Sequence, residues 1–313
     1  MKLSIVIPCF NEEETIKETH TRLCLVIKDL HFNCEIIYID DGSKDSTWKL
    51  LKELSLDKTS QEKGDVLKIL RFSRNFGQPA AVIAGLDTST GAVVAILDAD
   101  LQDPPELIPA MYERTLHGID VVYGQRQVRQ QESYFKKITA WLFYRFFQAL
   151  IGFEVPKDTG DFRLITRPVV NALLECKEHD LFLRGLVSWV GFTQEAFPYV
   201  RHGRFAGETK YTVKKMFAYA YMAIMSFSTK PLIFSMFFGC IGLGFSLALA
   251  IWALLSWSAG QSVPGWASLF LTFLAGQSFV LGMLGVLGGY LGRVYTEVQG
   301  RPRYILKDNI VKR

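Results

Sequence analysis

Residues 92–106 read Ala92-Val-Val-Ala-Ile-Leu-Asp98-Ala-Asp100-Leu-Gln102-Asp-Pro-Pro-Glu106. Six apolar residues form a strand, and an acidic turn followed by two prolines closes it. Asp98 and Asp100 leave the strand end two residues apart. Carboxylates so placed suit a hard divalent cation such as Mg²⁺ or Mn²⁺, which prefers oxygen ligands and takes the rest of its shell from water and substrate phosphates. An acidic pair of this kind is also a common loop start, so its meaning depends on what surrounds it.

Upstream, Leu3–Pro8, Glu35–Asp40 and Val66–Phe72 are short apolar or β-branched runs with turn signals after them. Glu12–Leu30, Asp45–Leu56 and Pro79–Leu86 alternate with them and carry helical periodicity. Asp45-Ser-Thr47 supplies helix-capping chemistry, and Asn11 precedes three glutamates suited to a first helical turn. Alternating strands and helices predict an α/β, Rossmann-like, mostly parallel sheet covered on both faces. Ligands of such sheets bind at the carboxyl ends of the strands. The polar residues gather there: Asn11 and Glu12, then Asp40 and Asp41, then Asp98 and Asp100. Asp40-Asp-Gly-Ser43 fits a nucleoside contact as well as a simple capping turn. No glycine-rich dinucleotide fingerprint or P-loop follows any strand, so a metal would have to neutralise a bound diphosphate.

The chain has 313 residues, 49% hydrophobic and 21% charged, which excludes disorder and a fibrous repeat. Its net charge of +4 is unevenly distributed. Residues 1–199 sum to −5, 200–230 to +5 and 293–313 to +4, whereas 231–292 contain no Asp, Glu, Lys or Arg. That run divides at Ser258–Gly265 into 231–257 and 266–292. Each is roughly 40 Å long as a helix, enough to span a bilayer with tilt. Trp252, Trp257, Trp266 and Tyr290 sit near the ends, as interfacial aromatics do. Basic residues flank the pair and none lies in the connecting loop, so both ends are expected on the cytoplasmic side. Residues 134–153 and 213–230 interleave Lys and Arg with aromatic and aliphatic residues and read as interfacial amphipathic helices. The five cysteines show no metal or disulfide spacing and read as buried residues of a reducing compartment. The N-terminal apolar run is too short for a signal peptide.

Ile5-Val-Ile-Pro-Cys-Phe-Asn-Glu-Glu13, Tyr38-Ile-Asp-Asp-Gly-Ser43 and Leu97-Asp-Ala-Asp-Leu-Gln-Asp-Pro-Pro-Glu106 resemble the successive signatures of family 2 glycosyltransferases with the GT-A fold. Within that family the chain is similar to the polyprenyl-phosphate group, which includes bactoprenol glucosyltransferases and dolichol-phosphate mannose synthases. Phe72-Ser-Arg-Asn-Phe-Gly77, Gly124-Gln-Arg126, Thr159-Gly-Asp-Phe-Arg-Leu164, Phe182-Leu-Arg-Gly185 with Trp189, and Gly207-Glu-Thr-Lys-Tyr211 follow in family order. Thr209 and Thr166 depart mildly from the pattern.

The resemblance implies a GT-A domain over 1–212, a juxtamembrane helix over 213–230, a transmembrane hairpin over 231–292 and a basic cytoplasmic tail over 293–313. It implies an inverting transferase of the bacterial inner membrane. The enzyme would move a hexose, glucose from UDP-glucose above all, to undecaprenyl phosphate for cell-surface glycan modification such as that of O-antigen. Pro8, Asn11, Glu12, Asp40 and Asp41 would hold the nucleotide sugar. Asp98, Asp100 and Gln102 would hold Mg²⁺ or Mn²⁺ on its diphosphate, and Asp161, with Asp100, would be catalytic. Two anionic substrates must be brought together, so Arg126, Arg129, Arg204 and Lys210 are candidates for the acceptor phosphate. Asp161 with Arg163 also reads as an internal ion pair at a strand start. The implied partners are the sugar nucleotide, the lipid phosphate, the bilayer and further copies of the chain, with no nucleic acid. Four alternatives remain: transfer of mannose or an aminoarabinose derivative, a catalytically silent nucleotide-sugar-binding anchor, a processive synthase, and a small channel built from the hairpin, with which spans lacking any charged lining conflict. Intact Asp98, Asp100 and Asp161 weigh against the second, and the spacing of Arg184 and Trp189 against the third.

Overall fold

The computed structural model describes residues 2–30, 32–56, 66–126, 156, 159–179, 181–200, 224–260 and 265–312. Strands β1 (Leu3–Cys9), β2 (Cys34–Asp40), β3 (Val66–Phe72) and β4 (Val93–Ile96) alternate with helices α1 (Ile16–Asp29), α2 (Thr47–Leu56) and α3 (Gln78–Thr88). A 3₁₀ turn at Pro105–Leu107 leads into α4 (Ile108–Leu116). Then come β5 (Val121–Arg126), β6 (Thr159–Thr166), α5 (Arg167–Glu175), α6 (Leu183–Trp189) and β7 (Gln194–Tyr199). Two long helices, α7 (Lys230–Ser258) and α8 (Trp266–Val298), precede a last strand, β8 (Leu306–Lys312).

All eight strands join one sheet in the order β7-β5-β6-β4-β1-β2-β3-β8. Four pairings are parallel (β1 with β2 and β4, β2 with β3, β5 with β7), and β6 and β8 run against their neighbours. The sheet is therefore mixed around a parallel centre. Every residue of β1 and β2 is buried, as strands covered on both faces require. Leu3, Ile5 and Ile7 point to one face, into a core shared with Ile16, Leu23 and Ile27 of α1. Val6 points to the other, where α3 lies so close that a Cβ on Gly85 would sit 2.2 Å from Val6 Cγ1.

At the amino-terminal ends of the strands, Glu35 accepts hydrogen bonds from Ser4 Oγ, Thr90 N and Lys68 Nζ. Burial would raise its pKa, yet these donors outweigh burial and hold the carboxyl below its ordinary value. The carboxyl ends of the same strands carry the other polar cluster.

The described residues form two compact units, the sheet with its packed helices and the pair α7–α8. By length and composition α7 and α8 can cross a membrane. Their apolar side chains, Phe234, Phe245, Leu255 and Leu284 among them, are exposed. Residues from Pro302 onward belong to the sheet unit. Leu306–Lys312 pairs antiparallel with β3, a strand within the segment that the sequence suggested only as a basic tail. Just before it, Tyr304 stacks on Phe72 with ring centres 5.1 Å apart, and Ser73 N donates to Ile305 O at 2.9 Å. The five cysteines are free thiols. The proposed interfacial segment 134–153 and most of 213–230 lie outside the described residues.

Candidate active site

Two loops at the carboxyl edge of the sheet are tied to each other. Asn11 N donates to Ser43 Oγ at 3.0 Å, Lys44 N to Asn11 Oδ1 at 2.9 Å, and Glu12 N to Thr47 Oγ1 at 2.8 Å. Glu13 and Asp45 accept from backbone N–H groups across the same junction and cap α2. Asn11 has φ +54°, and Leu101, between Asp100 and Gln102, has φ +57°. Among the described residues these are the two non-glycine positions in the left-handed region, and both flank this crevice. Backbone strain of that sort collects at ligand sites.

Pro8 is buried inside β1, paired with Ile39. Asp40 is fully buried, its Oδ1 accepts from Ser43 N at 2.9 Å, and its Oδ2 lies 3.4 Å from Arg71 Nε. Asp41 has a different environment. Its carboxylate accepts from Phe76 N, Gly77 N at 2.9 Å and Asn75 Nδ2 at 2.9 Å, which moulds the loop between β3 and α3. Burial pushes the Asp41 carboxyl up to about 6 against the pull of those donors. Gly42, at φ +67°, passes so close that a Cβ would meet Arg74 C at 2.5 Å. Only glycine fits there.

The acidic turn after β4 folds on itself, with Gln102 N donating to Asp100 Oδ1 at 3.1 Å. Gln102 is buried, and its Oε1 accepts no hydrogen bond among the described residues. A buried carbonyl oxygen of this kind beside two carboxylates is a donor set that suits a hard cation. Asp98 is pushed well above the ordinary carboxyl range, first by burial and then by Asp161, Asp103 and Asp100. Such crowding of like charge is relieved by a cation. Among the described residues no cluster of three His, Cys, Asp or Glu side chains has metal-binding spacing, so further oxygens would have to come from a bound phosphate or water.

Asp161, on β6, faces this turn. Arg184 Nε on α6 donates to its Oδ1 at 2.8 Å, and Arg163 Nη2 stands 3.9 Å away. Burial alone would raise Asp161, but Arg184, then Arg163 and Arg126, outweigh it and hold the carboxyl below its usual value. Burial brings Arg163 itself down to about 10. Arg126, at the end of β5, has Nη2 3.9 Å from the fully buried Asp103, which also accepts from Tyr199 OH. Arg126 also packs on Gly160, where a Cβ would meet its Nη2 at 2.5 Å. Arg129, Arg204 and Lys210 lie outside the described residues. No sequence signal singles out Gln78 or Tyr199, and Asp103 is marked only as part of the Leu97–Glu106 stretch, because the contacts of each are with residues distant in the chain.

An open sheet with strained acidic turns at its carboxyl edge, facing a carboxylate ringed by arginines, has the form of a group-transfer site for phosphorylated substrates. A family model for glycosyl transferase family 2 matches residues 4–174. A Bacillus subtilis protein described as uncharacterized glycosyltransferase YkcC is 44% identical over 99% of this chain and 94% of its own. The bactoprenol glucosyl transferase of Shigella phage SfII is 37% identical over 99% and 98%, and an Escherichia coli prophage bactoprenol glucosyl transferase homolog is 36% identical over 98% and 99%. A solved glucosyl-3-phosphoglycerate synthase from Mycobacterium tuberculosis overlays with a TM-score of 0.48 at 18% identity, covering 72% of this chain and 78% of that one. The chain belongs to glycosyltransferase family 2 and is an enzyme of that class.

Proposed function

We propose that the enzyme transfers a hexose, glucose from UDP-glucose, to a polyprenyl phosphate, giving an inverted lipid-linked sugar phosphate. The observation that carries this reading is the Asp98–Gln102 turn, with its unsatisfied buried oxygen, opposite the arginine-ringed Asp161. The names of the bactoprenol-directed relatives support the acceptor and the sugar.

Pro8, Asn11, Glu12 and Asp40 line the nucleoside side, and Asp41 serves by shaping the loop before α3. Asp98, Asp100 and Gln102 would hold Mg²⁺ or Mn²⁺. An ion held by these residues would supply Lewis-acid chemistry, offsetting the negative charge of the diphosphate as it leaves. The acceptor phosphate attacks the anomeric carbon as the bond to the diphosphate breaks, and the nucleoside diphosphate leaves with the electron pair. A phosphomonoester with a second pKa near ~6 is mostly ionised at neutral pH, so little general-base help is required. Asp161, held ionised by Arg184, is therefore suited to orienting the acceptor more than to taking a proton. Arg126 and Arg184 offset the repulsion between the two anionic substrates, with Arg129, Arg204 and Lys210 as further candidates.

The described residues up to Val200 and those from Pro302 onward belong to the sheet unit, and two membrane-crossing helices between them would return the chain to the side it left. The flanking basic residues favour the cytoplasmic side.

The test uses purified full-length protein, undecaprenyl phosphate and a panel of radiolabelled nucleotide sugars, with and without Mg²⁺ or Mn²⁺. Metal-dependent label in an organic-extractable lipid from UDP-glucose, lost in Asp98→Ala and Asp100→Ala, is the expected result. Label from another sugar alone would overturn the glucose assignment. Nucleotide binding without transfer to lipid from any donor would overturn the transferase reading.

A further inference from the structure

Gln78 is the first residue of α3, delivered by the loop that Asp41 moulds. Its Nε2 donates to Asp98 Oδ1 at 2.7 Å and to Asp161 Oδ2 at 3.2 Å. One amide nitrogen carries two hydrogens, and here each meets a carboxylate from a different strand. Asp98 follows the parallel strand β4, and Asp161 sits on the antiparallel strand β6. With Arg184 on the far side of Asp161, an unbroken chain of contacts runs Arg184–Asp161–Gln78–Asp98.

We propose that Gln78 is a positioning residue that couples the carboxylate on the metal and donor side to the carboxylate on the acceptor side. The proposal rests on the functional reading above for the roles of Asp98 and Asp161. Two carboxylates at this separation repel, and a shared neutral donor holds both without cancelling the negative charge a cation needs. A lysine would compete with that cation, and a glutamate would add to the repulsion. Asparagine is one methylene short of spanning the gap. Gln78 is itself exposed in the crevice and contributes little to the core, so its two hydrogen bonds are its principal contacts. Binding at Asp98 is then felt at Asp161, and the reverse, without backbone movement.

The experiment is a double-mutant cycle read by calorimetric binding of uridine diphosphate with Mn²⁺ to the full-length protein in detergent. The variants are Gln78→Leu, Asp161→Asn and the pair, with Gln78→Asn as a second probe should Gln78→Leu unfold. Removing a hydrogen bond to a charged group is expected to weaken binding about tenfold in Gln78→Leu, with the thermal midpoint nearly unchanged. The effect of Asp161→Asn on the dissociation constant should differ on the order of fivefold between the wild-type and Gln78→Leu backgrounds, as contacting residues do in such cycles. Additive effects would overturn the coupling and leave the functional reading standing. Wild-type protein that is folded yet binds no nucleoside diphosphate with Mn²⁺ would overturn the functional reading, and this inference with it.

Discussion

Arg184 Nε donates to Asp161 Oδ1 at 2.8 Å while its Nη2 lies 3.4 Å from Oδ2, so one guanidinium covers both oxygens of the carboxylate at the centre of the crevice. Asp161 is thus held by a residue from another element and is no free base. Replacing Arg184 with Ala should cost little stability, about 1 kcal/mol, because its side chain is 36% exposed and solvent screens the pair. Transfer should nevertheless fall by roughly tenfold to a hundredfold, as expected for loss of a charge-assisted hydrogen bond at a reacting centre. Arg184→Lys keeps the charge without the fork and should fall between. Turnover at saturating substrates together with thermal melts would check this; an unchanged turnover in Arg184→Ala would refute it.

Asp41 gives a pH signature. Its folded pKa of about 6 lies above the ordinary value of 3.8, so the fold favours the protonated carboxyl. This contribution is complete below the unfolded value and is lost as pH rises from there through about 6, a change on the order of 2–3 kcal/mol. Wild-type stability should therefore decline between about pH 4 and 6.5 relative to Asp41→Asn, which has no such titration. Parallel melting curves across that window for the two proteins would rule the prediction out.

The Glu35 network should be purely structural. Glu35→Gln leaves Lys68 without its buried counter-charge, at a cost of about 3 kcal/mol. Because the network sits at the amino-terminal edge of the sheet, nucleotide affinity of the folded variant should match wild type. Chemical denaturation paired with UDP titration measures both quantities, and a large loss of affinity at full folding would contradict this placement.

The C-terminal strand should be needed by the donor site. Tyr304 stacks on Phe72, and Ile305 accepts from Ser73, at the root of the loop that Asp41 shapes. Tyr304→Ala should lower stability by about 1–2 kcal/mol and weaken UDP binding several-fold. Ending the chain at Gly300 should weaken both further by exposing the edge of β3. Equal affinity in the shortened and full-length proteins would show the strand to be dispensable.

Much of the central sheet was legible because apolar runs bounded by turn residues leave little choice of conformation. Val66–Phe72 is observed with the expected bounds, and β1, β2 and β4 differ by a residue or two. Strand β8 was not legible. Leu306–Lys312 includes lysine, aspartate and asparagine, has mostly exposed side chains and shows no alternation, since an edge strand need bury only its backbone. The acids of the site were legible as types at strand ends, but their partners were not. Asp161 meets Arg184 and Gln78, and Asp103 meets Tyr199, only after the antiparallel strand β6 and the parallel pair β5–β7 bring distant segments together. Asp41 looked like a ligand contact from its neighbours in sequence, whereas its hydrogen bonds run to the loop at Asn75–Gly77.

The place of β8 also orders events during synthesis. Translation makes β1 to β7 first, β3 among them, then both apolar helices, and only afterwards the strand that covers the edge of β3. Until residues 306–312 return, that edge presents unpaired N–H and C=O groups to any passing chain. Completion of the sheet is thus deferred until the last residues of the chain have been made.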